Sequence, residues 1–197
     1  THEFKGLLKY IATPHYAAPG CKDADYCSFI LARYDQPPDS FRGGVAVVNN
    51  PDSMSGMLAL KLVFAPFATD GRFFARAMQS GGHVKSMLAV RDGLADVCAI
   101  DAVCVAMARR YRPDYLEGLV EIARSPSVPG LPYVTRGGNI EAMRQGLVAA
   151  FADSDLQQCR EQLFLSGHSV LRPNAYERIT DLERDMQKTG GLELNDH

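Results

Sequence analysis

Three places in this chain set a chemically capable side chain behind an apolar run and ahead of a helix-like stretch. Ser53 and Ser55, with Gly56, follow the Val-rich run 44–49; His83 follows Ser80-Gly81-Gly82; Asp101 closes the run 95–100. Helix N-termini carry unpaired N–H groups and a partial positive charge, so polar residues at such junctions suit an anion. A hydroxyl of Ser53 or Ser55 can bond an anionic oxygen, and Gly56 lets the backbone come close. Equally, each serine can cap its own helix. His83 can donate to an anionic oxygen, better when protonated, or can be an ordinary surface or helix-start residue. Asp101 fits such a pocket only if the ligand keeps a proton or carries an amine; otherwise it caps the following helix.

Other polar residues are less pointed. Tyr26 and Tyr16 lie in a loop-like stretch, where either hydroxyl can close over a ligand or serve in packing, and Tyr133 has the same two readings. His168, in Ser166-Gly167-His168-Ser169, has no nucleophile partner and reads as a structural turn residue. The chain has no G-x-S-x-G, H-E-x-x-H, G-x-G-x-x-G or phosphate-loop motif, so no catalytic residue is assigned. The five cysteines form no C-x-x-C, which removes support for zinc or thioredoxin-like chemistry. Cys21 and Cys27 lie in a loop-like stretch, where pairing is open to them, Cys98 and Cys104 read as small core residues, and Cys159 stands alone. No metal and no cofactor is expected.

A net charge of −2 without a basic run argues against a nucleic-acid partner. The apolar runs fall far short of the ~20 residues of a membrane span. Thr1-His2-Glu3-Phe4-Lys5-Gly6 has no signal-peptide pattern, and with no initiator Met the chain reads as a processed product or a fragment.

Strands are expected over 7–13, 27–32, 44–49, 73–79, 95–100 and 119–123, with a short extended segment at 133–135. Helices are expected over 55–67, 84–91 (closed by Gly93), 102–111, 140–151, 156–164 and 175–186, and one helical turn over 39–43. The Pro- and Gly-rich stretch 14–25 reads as a loop, and 166–169 as a turn. Alternating strands and helices argue for an α/β fold with mainly parallel pairing. Two Pro-rich breaks, 36–39 and 125–132, bracket 40–124 as one α/β lobe, with 1–35 and 126–197 forming the other. Ligands favour the cleft between such lobes.

Four segments carry a family likeness. They are Thr13-Pro14-His15-Tyr16-Ala17-Ala18-Pro19-Gly20-Cys21 with Tyr26-Cys27-Ser28; Asn50-Pro51-Asp52-Ser53-Met54-Ser55-Gly56; Ser80-Gly81-Gly82-His83; and Ala95-Asp96-Val97-Cys98-Ala99-Ile100-Asp101 with Pro129-Gly130-Leu131-Pro132-Tyr133-Val134-Thr135. In order and spacing they resemble the phosphate/phosphonate-type solute-binding proteins of ABC transporters, which have the two-lobed type 2 periplasmic-binding-protein fold. Met54 stands where that family usually has Thr, so one hydroxyl donor is absent.

The resemblance implies a periplasmic protein that captures a small oxyanion such as phosphonate or phosphate between its lobes and delivers it to a membrane permease. Ser53, Ser55, Gly56, His83, Asp101 and Tyr26 would bind the ligand. It also implies an incomplete lobe 1, with about seventy further residues ahead of Thr1 in relatives. Apolar surface near 7–11 and 29–31 would then be left bare or covered by a partner chain, which admits a homodimer. An enzyme or a sensory effector-binding domain on the same fold is the alternative, since fold alone does not choose.

Overall fold

The computed structural model describes residues 6–194. In chain order the elements are β1 Lys9–Tyr16, β2 Cys21–Lys22, β3 Asp25–Tyr26, β4 Ser28–Ala32, β5 Val45–Val48, α1 Ala59–Phe64, β6 Arg76–Gln79, α2 His83–Arg91, β7 Val97–Asp101 and α3 Ala102–Tyr111. There follow β8 Val120–Arg124, β9 Val128–Pro129, β10 Tyr133–Thr135, α4 Ile140–Ala152, α5 Gln157–Gln162, β11 Leu165–Ser169 and α6 Glu177–Lys188. Among the described residues no helix is long and apolar enough to cross a membrane.

A five-stranded sheet, order β6-β5-β7-β4-β8, forms the centre of the larger lobe. The strands expected near 44–49, 73–79 and 95–100 lie side by side in it as β5, β6 and β7. β5 is parallel to both β6 and β7, whereas β4 is antiparallel to both β7 and β8. The pairing is therefore mixed, not mainly parallel.

The alternation of side chains explains why both faces are covered. Phe29, Leu31, Val47, Cys98 and Ile100 face α2 and α3, packing with Met87, Val90 and Val105. Ile30, Ala32, Ala46, Val48, Val97 and Ala99 face the other way, against Leu60, Phe64 and Phe73.

The lobe boundary differs from the expected one. Every residue of β4 is buried, which requires cover on both faces and neighbours on both edges; only the middle of the large sheet supplies these. Residues 28–32 therefore sit with 40–124 and not with 1–27. For the same reason the expectation of bare apolar surface at 29–31 is wrong. At 7–11 the outcome is divided: Leu7 is 67% exposed, while Ile11 is buried.

The smaller lobe has a three-stranded antiparallel sheet, order β10-β1-β11. The segment read as a turn at 166–169 is its edge strand β11. β1 runs through Pro14 to Tyr16, and the loop read at 14–25 contains the β2–β3 hairpin. Between the lobes β3 pairs with β9, Asp25 opposite Pro129 and Tyr26 opposite Val128. The two crossings are thus joined to each other at 25–26 and 128–129, while 36–39 leads into a short 3-10 turn, Pro38–Phe41.

The fully buried Thr13 anchors this region. Its hydroxyl is hydrogen-bonded to the Tyr10 hydroxyl (2.8 Å) and the Tyr176 hydroxyl (2.7 Å), and Tyr176 donates to the Gly130 carbonyl (2.7 Å).

Candidate functional site

β5 is the strand from which the chain first crosses to one neighbour, β6, and then returns to the other, β7. Ligands of open α/β sheets collect at the carboxyl ends of strands around such a switch. Those ends here are Asn49–Gly56 after β5, Ser80–His83 after β6 and Asp101 at the end of β7. Because β4 runs antiparallel to β7, its start lies at the same edge, Ser28 opposite Asp101. That brings Tyr26 in from the crossing.

The turn after β5 is π-helical, with the Leu58 N–H donating five residues back to the Ser53 carbonyl (3.0 Å). Wide turns of this kind recur at functional sites. Ser53 is extended, and its Oγ accepts from the Gly56 N–H (3.0 Å). Ser53 thus caps its own helix through an oxygen lone pair, and its O–H proton is free to donate. Ser55 instead is buried, with Oγ 2.9 Å from His83 Nε2. His83 is held by the loop before α2, where the Ser80 hydroxyl donates to the carbonyls of Val48 (3.2 Å) and Gly82 (3.0 Å) and lies 2.7 Å from Ser86 Oγ. His83 Nδ1 and Asn49 Oδ1 are both buried without a hydrogen-bond partner. Unpartnered buried polar atoms are uncommon and call for an explanation.

Asp101 caps α3: its Oδ1 accepts from the N–H groups of Val103 (2.7 Å) and Cys104 (3.1 Å). The cap takes up Oδ1 alone. The carboxylate also acts on the groups around it. Burial, then the Asp101 charge, push the Tyr26 hydroxyl up, while a hydrogen bond with Ser55 pulls it down. Burial first, then Tyr133 and Asp101, raise Tyr16 to about 12. Burial and Asp101 raise both Cys104 and Cys21 to about 12, and burial raises Tyr133. These groups keep their protons at neutral pH and present O–H and S–H donors. Burial pushes Asp101 itself up, against its N–H partners and His83. Burial pushes His83 down, with Asp101 opposing.

Of the residues expected at the site, Ser55, Gly56, His83, Asp101 and Tyr26 lie together, and Ser53 caps the turn that carries Ser55 and Gly56. Tyr16, read first as loop packing, faces the same carboxylate region and lies near Tyr133. Asn49, Cys21 and Cys104 were not singled out. The usable signal for Tyr16 was its place at the end of a strand, concealed by Pro14. His168 lies against Phe151, ring centroids 5.0 Å apart, away from this cluster.

The shifts fix a pH dependence. The buried His83 takes a proton only below its ordinary value of about 6.5, so the unfolded chain binds it first. Its contribution to stability is full above pH 6.5 and is lost as pH falls. Asp101, with a raised value, works oppositely: its contribution is full below the usual carboxylate range and is lost as pH rises through the folded value. His83→Gln is expected to remove a loss of melting temperature as pH falls below 6.5, and Asp101→Asn to remove a loss as pH rises above the usual carboxylate range; calorimetric melts of each variant against the unaltered chain check both signs.

The molecule is a two-lobed α/β fold with polar groups gathered at the strand ends beside its crossings. The model of the family described as "ABC transporter, phosphonate, periplasmic substrate-binding protein" matches residues 7–186, and the chain belongs to that family. It is a family of transporter solute-binding proteins, not of enzymes.

Among solved structures the chain is similar to the binding-protein component of an ABC phosphonate transporter, PA3383 from Pseudomonas aeruginosa. The identity is 22% and the TM-score 0.77, over 93% of this chain and 64% of that one. It is also similar to XAC2383 from Xanthomonas citri bound to chloride ion, at 19% identity and TM-score 0.68, over 95% of this chain and 73% of that one. A third is PhnD1 from Prochlorococcus marinus (MIT 9301) in complex with methylphosphonate, at 13% identity and TM-score 0.70, over 90% of this chain and 72% of that one. At these identities the likeness establishes the fold. The chain spans 64% to 73% of these neighbours' length. No curated protein matches it.

Proposed function

We propose that this chain captures a small oxyanion of the phosphonate or phosphate type in the cleft beside its crossings, as the periplasmic component of an ABC transporter, and hands it to a membrane permease. The observation that carries the reading is the meeting of Ser55, His83 and Tyr26 at the carboxylate of Asp101. Ser55, Tyr26, Tyr16 and Tyr133 supply neutral O–H donors, and the N-terminal turns of the helices supply positive dipole ends. Asp101 repels a fully ionised ligand and accepts from one that keeps a proton or an amine. The favoured ligands are therefore monoanionic or zwitterionic phosphonates. Methylphosphonate, the ligand of one structural neighbour, fits this chemistry as a monoanion.

The Ser55–His83 contact also has the form of a nucleophile beside its base. In a hydrolase the other ring nitrogen is held by an acceptor. His83 Nδ1 has none. Binding is thus favoured over catalysis.

Calorimetric titration with phosphate, methylphosphonate and 2-aminoethylphosphonate tests the reading. Ser55→Ala is expected to weaken binding by about 1–3 kcal/mol, the range for a hydrogen bond to a charged group. Asp101→Asn keeps the cap acceptor and is expected to change the order of preference, gaining for phosphate and losing for 2-aminoethylphosphonate. Equal changes for all three ligands would remove the selecting role of Asp101. If the unaltered chain bound none of them, oxyanion capture itself would fall.

A further inference from the structure

Helix α3 starts at the candidate site, where Asp101 caps it, and ends in Arg109-Arg110-Tyr111, about 15 Å away at 1.5 Å per residue. Its far end is fastened to the other lobe. Arg110 donates through Nη1 to the carbonyls of Glu161 (2.6 Å) and Gln162 (3.4 Å), and the Tyr111 hydroxyl donates to Gln162 (2.8 Å). These are last-turn carbonyls of α5; that of Glu161 also accepts from the Phe164 N–H (3.2 Å). The Arg110 guanidinium also lies 3.8 Å from the centre of the Phe164 ring, well within cation–π reach.

Phe164 has its backbone in the left-handed region, at φ 58°. A bulky residue stays there only when its surroundings impose it. Its carbonyl accepts from the Ala17 N–H (2.7 Å), and Ala17 follows Tyr16 of the site. One end of α3 thus meets the smaller lobe at the tyrosines around Asp101, and the other meets it at Phe164.

We propose that Arg110, Tyr111 and Phe164 form a latch between the lobes that holds the ligand-retaining arrangement, an inference resting on the reading of the chain as a two-lobed oxyanion-binding protein. All three are positioning residues, since none of them touches the ligand. Any parting of the lobes that draws the far end of α3 away from α5 must break the Arg110 and Tyr111 hydrogen bonds and the Arg110–Phe164 contact. Arg110 and Tyr111 are exposed, so the latch can release as well as hold. By favouring the closed arrangement it raises apparent affinity in proportion to the competent fraction, and it does so chiefly by slowing escape.

The test uses the full chain with Arg110→Ala, Arg110→Lys and Phe164→Gly, measuring stopped-flow dissociation of methylphosphonate and small-angle scattering without ligand. Arg110→Ala is expected to raise the dissociation rate roughly 3–30-fold while association stays within about twofold. It should also increase the radius of gyration of the unliganded chain. Arg110→Lys keeps the cation and should recover part of both effects. Phe164→Gly removes the ring while relieving the backbone, so it should loosen the latch without lowering the melting temperature, which a merely structural role would not produce. An unchanged dissociation rate and an unchanged radius in Arg110→Ala overturn the latch. If the unaltered chain binds no methylphosphonate, oxyanion capture fails separately and scattering alone decides the latch: expansion supports it, and no expansion overturns it.

Discussion

Gly56→Ala is expected to lower stability by about 1–3 kcal/mol, as overpacking does, and to weaken methylphosphonate binding at least roughly tenfold. A methyl group on Gly56 would lie 1.7 Å from Asn49 Oδ1, 2.7 Å from Asn49 Cγ and 3.3 Å from Ser53 Oγ. Asn49 Oδ1 is buried, so it has no open side to move into. Relief must come from shifting the turn that begins α1, and Ser55 is the neighbouring residue in that turn. The displacement separates Ser55 Oγ from His83 Nε2, which now lie 2.9 Å apart. Denaturant melts and calorimetric titration of the variant check both halves. Reduced stability with unchanged affinity would detach Gly56 from the site.

Phe64→Ala is expected to cost about 3–5 kcal/mol, the range for truncating a buried aromatic residue. Phe64 has no exposed surface, and its ring lies 5.1 Å from Phe73 and 4.8 Å from Phe74. It fills the side of the large sheet that α1 covers, together with Leu60 and the C-terminal Leu192. The ring cluster is too enclosed to collapse fully, so a cavity term adds to the lost transfer energy. At about 2–4 °C per kcal/mol for a chain of this size, the melting temperature should fall by roughly 6–20 °C. A fall of less than ~3 °C would mean that the aromatic cluster repacks around the gap.

Much of the larger lobe was legible in the sequence because its strands are covered on both faces. Such strands read as short apolar runs, and the polar residues that end them stand out. Ser55, His83 and Asp101 were visible for that reason. Tyr26 was visible in the sequence only as a loop tyrosine with two readings, since its position depends on β4 running antiparallel to β7. That pairing joins residues about seventy positions apart and leaves no local mark.

The smaller lobe was harder to read. β11 is built from Leu165-Ser166-Gly167-His168-Ser169, a composition that favours turns, and it is a strand because β1 offers it a ladder. β1 in turn passes through Pro14, a residue that argues against a strand interior. Stopping the strand at Thr13 put Tyr16 in a loop and hid its place at the site. The cap role of Ser53 could not be decided from type and spacing, because an N-cap and an anion donor call for the same hydroxyl; the 3.0 Å bond from the Gly56 N–H shows the cap and leaves the O–H proton free to donate.

The short ladder between β3 and β9 has a consequence for how ligand preference can drift in such proteins. Tyr26 is at once a rung of that ladder and a neighbour of Ser55. Substitutions elsewhere in the two crossings can therefore retune where this hydroxyl points without altering a single residue of the pocket. On the proposed reading, preference among anions would then be heritable through the connecting chain, and descendants with identical pockets would diverge in what they carry.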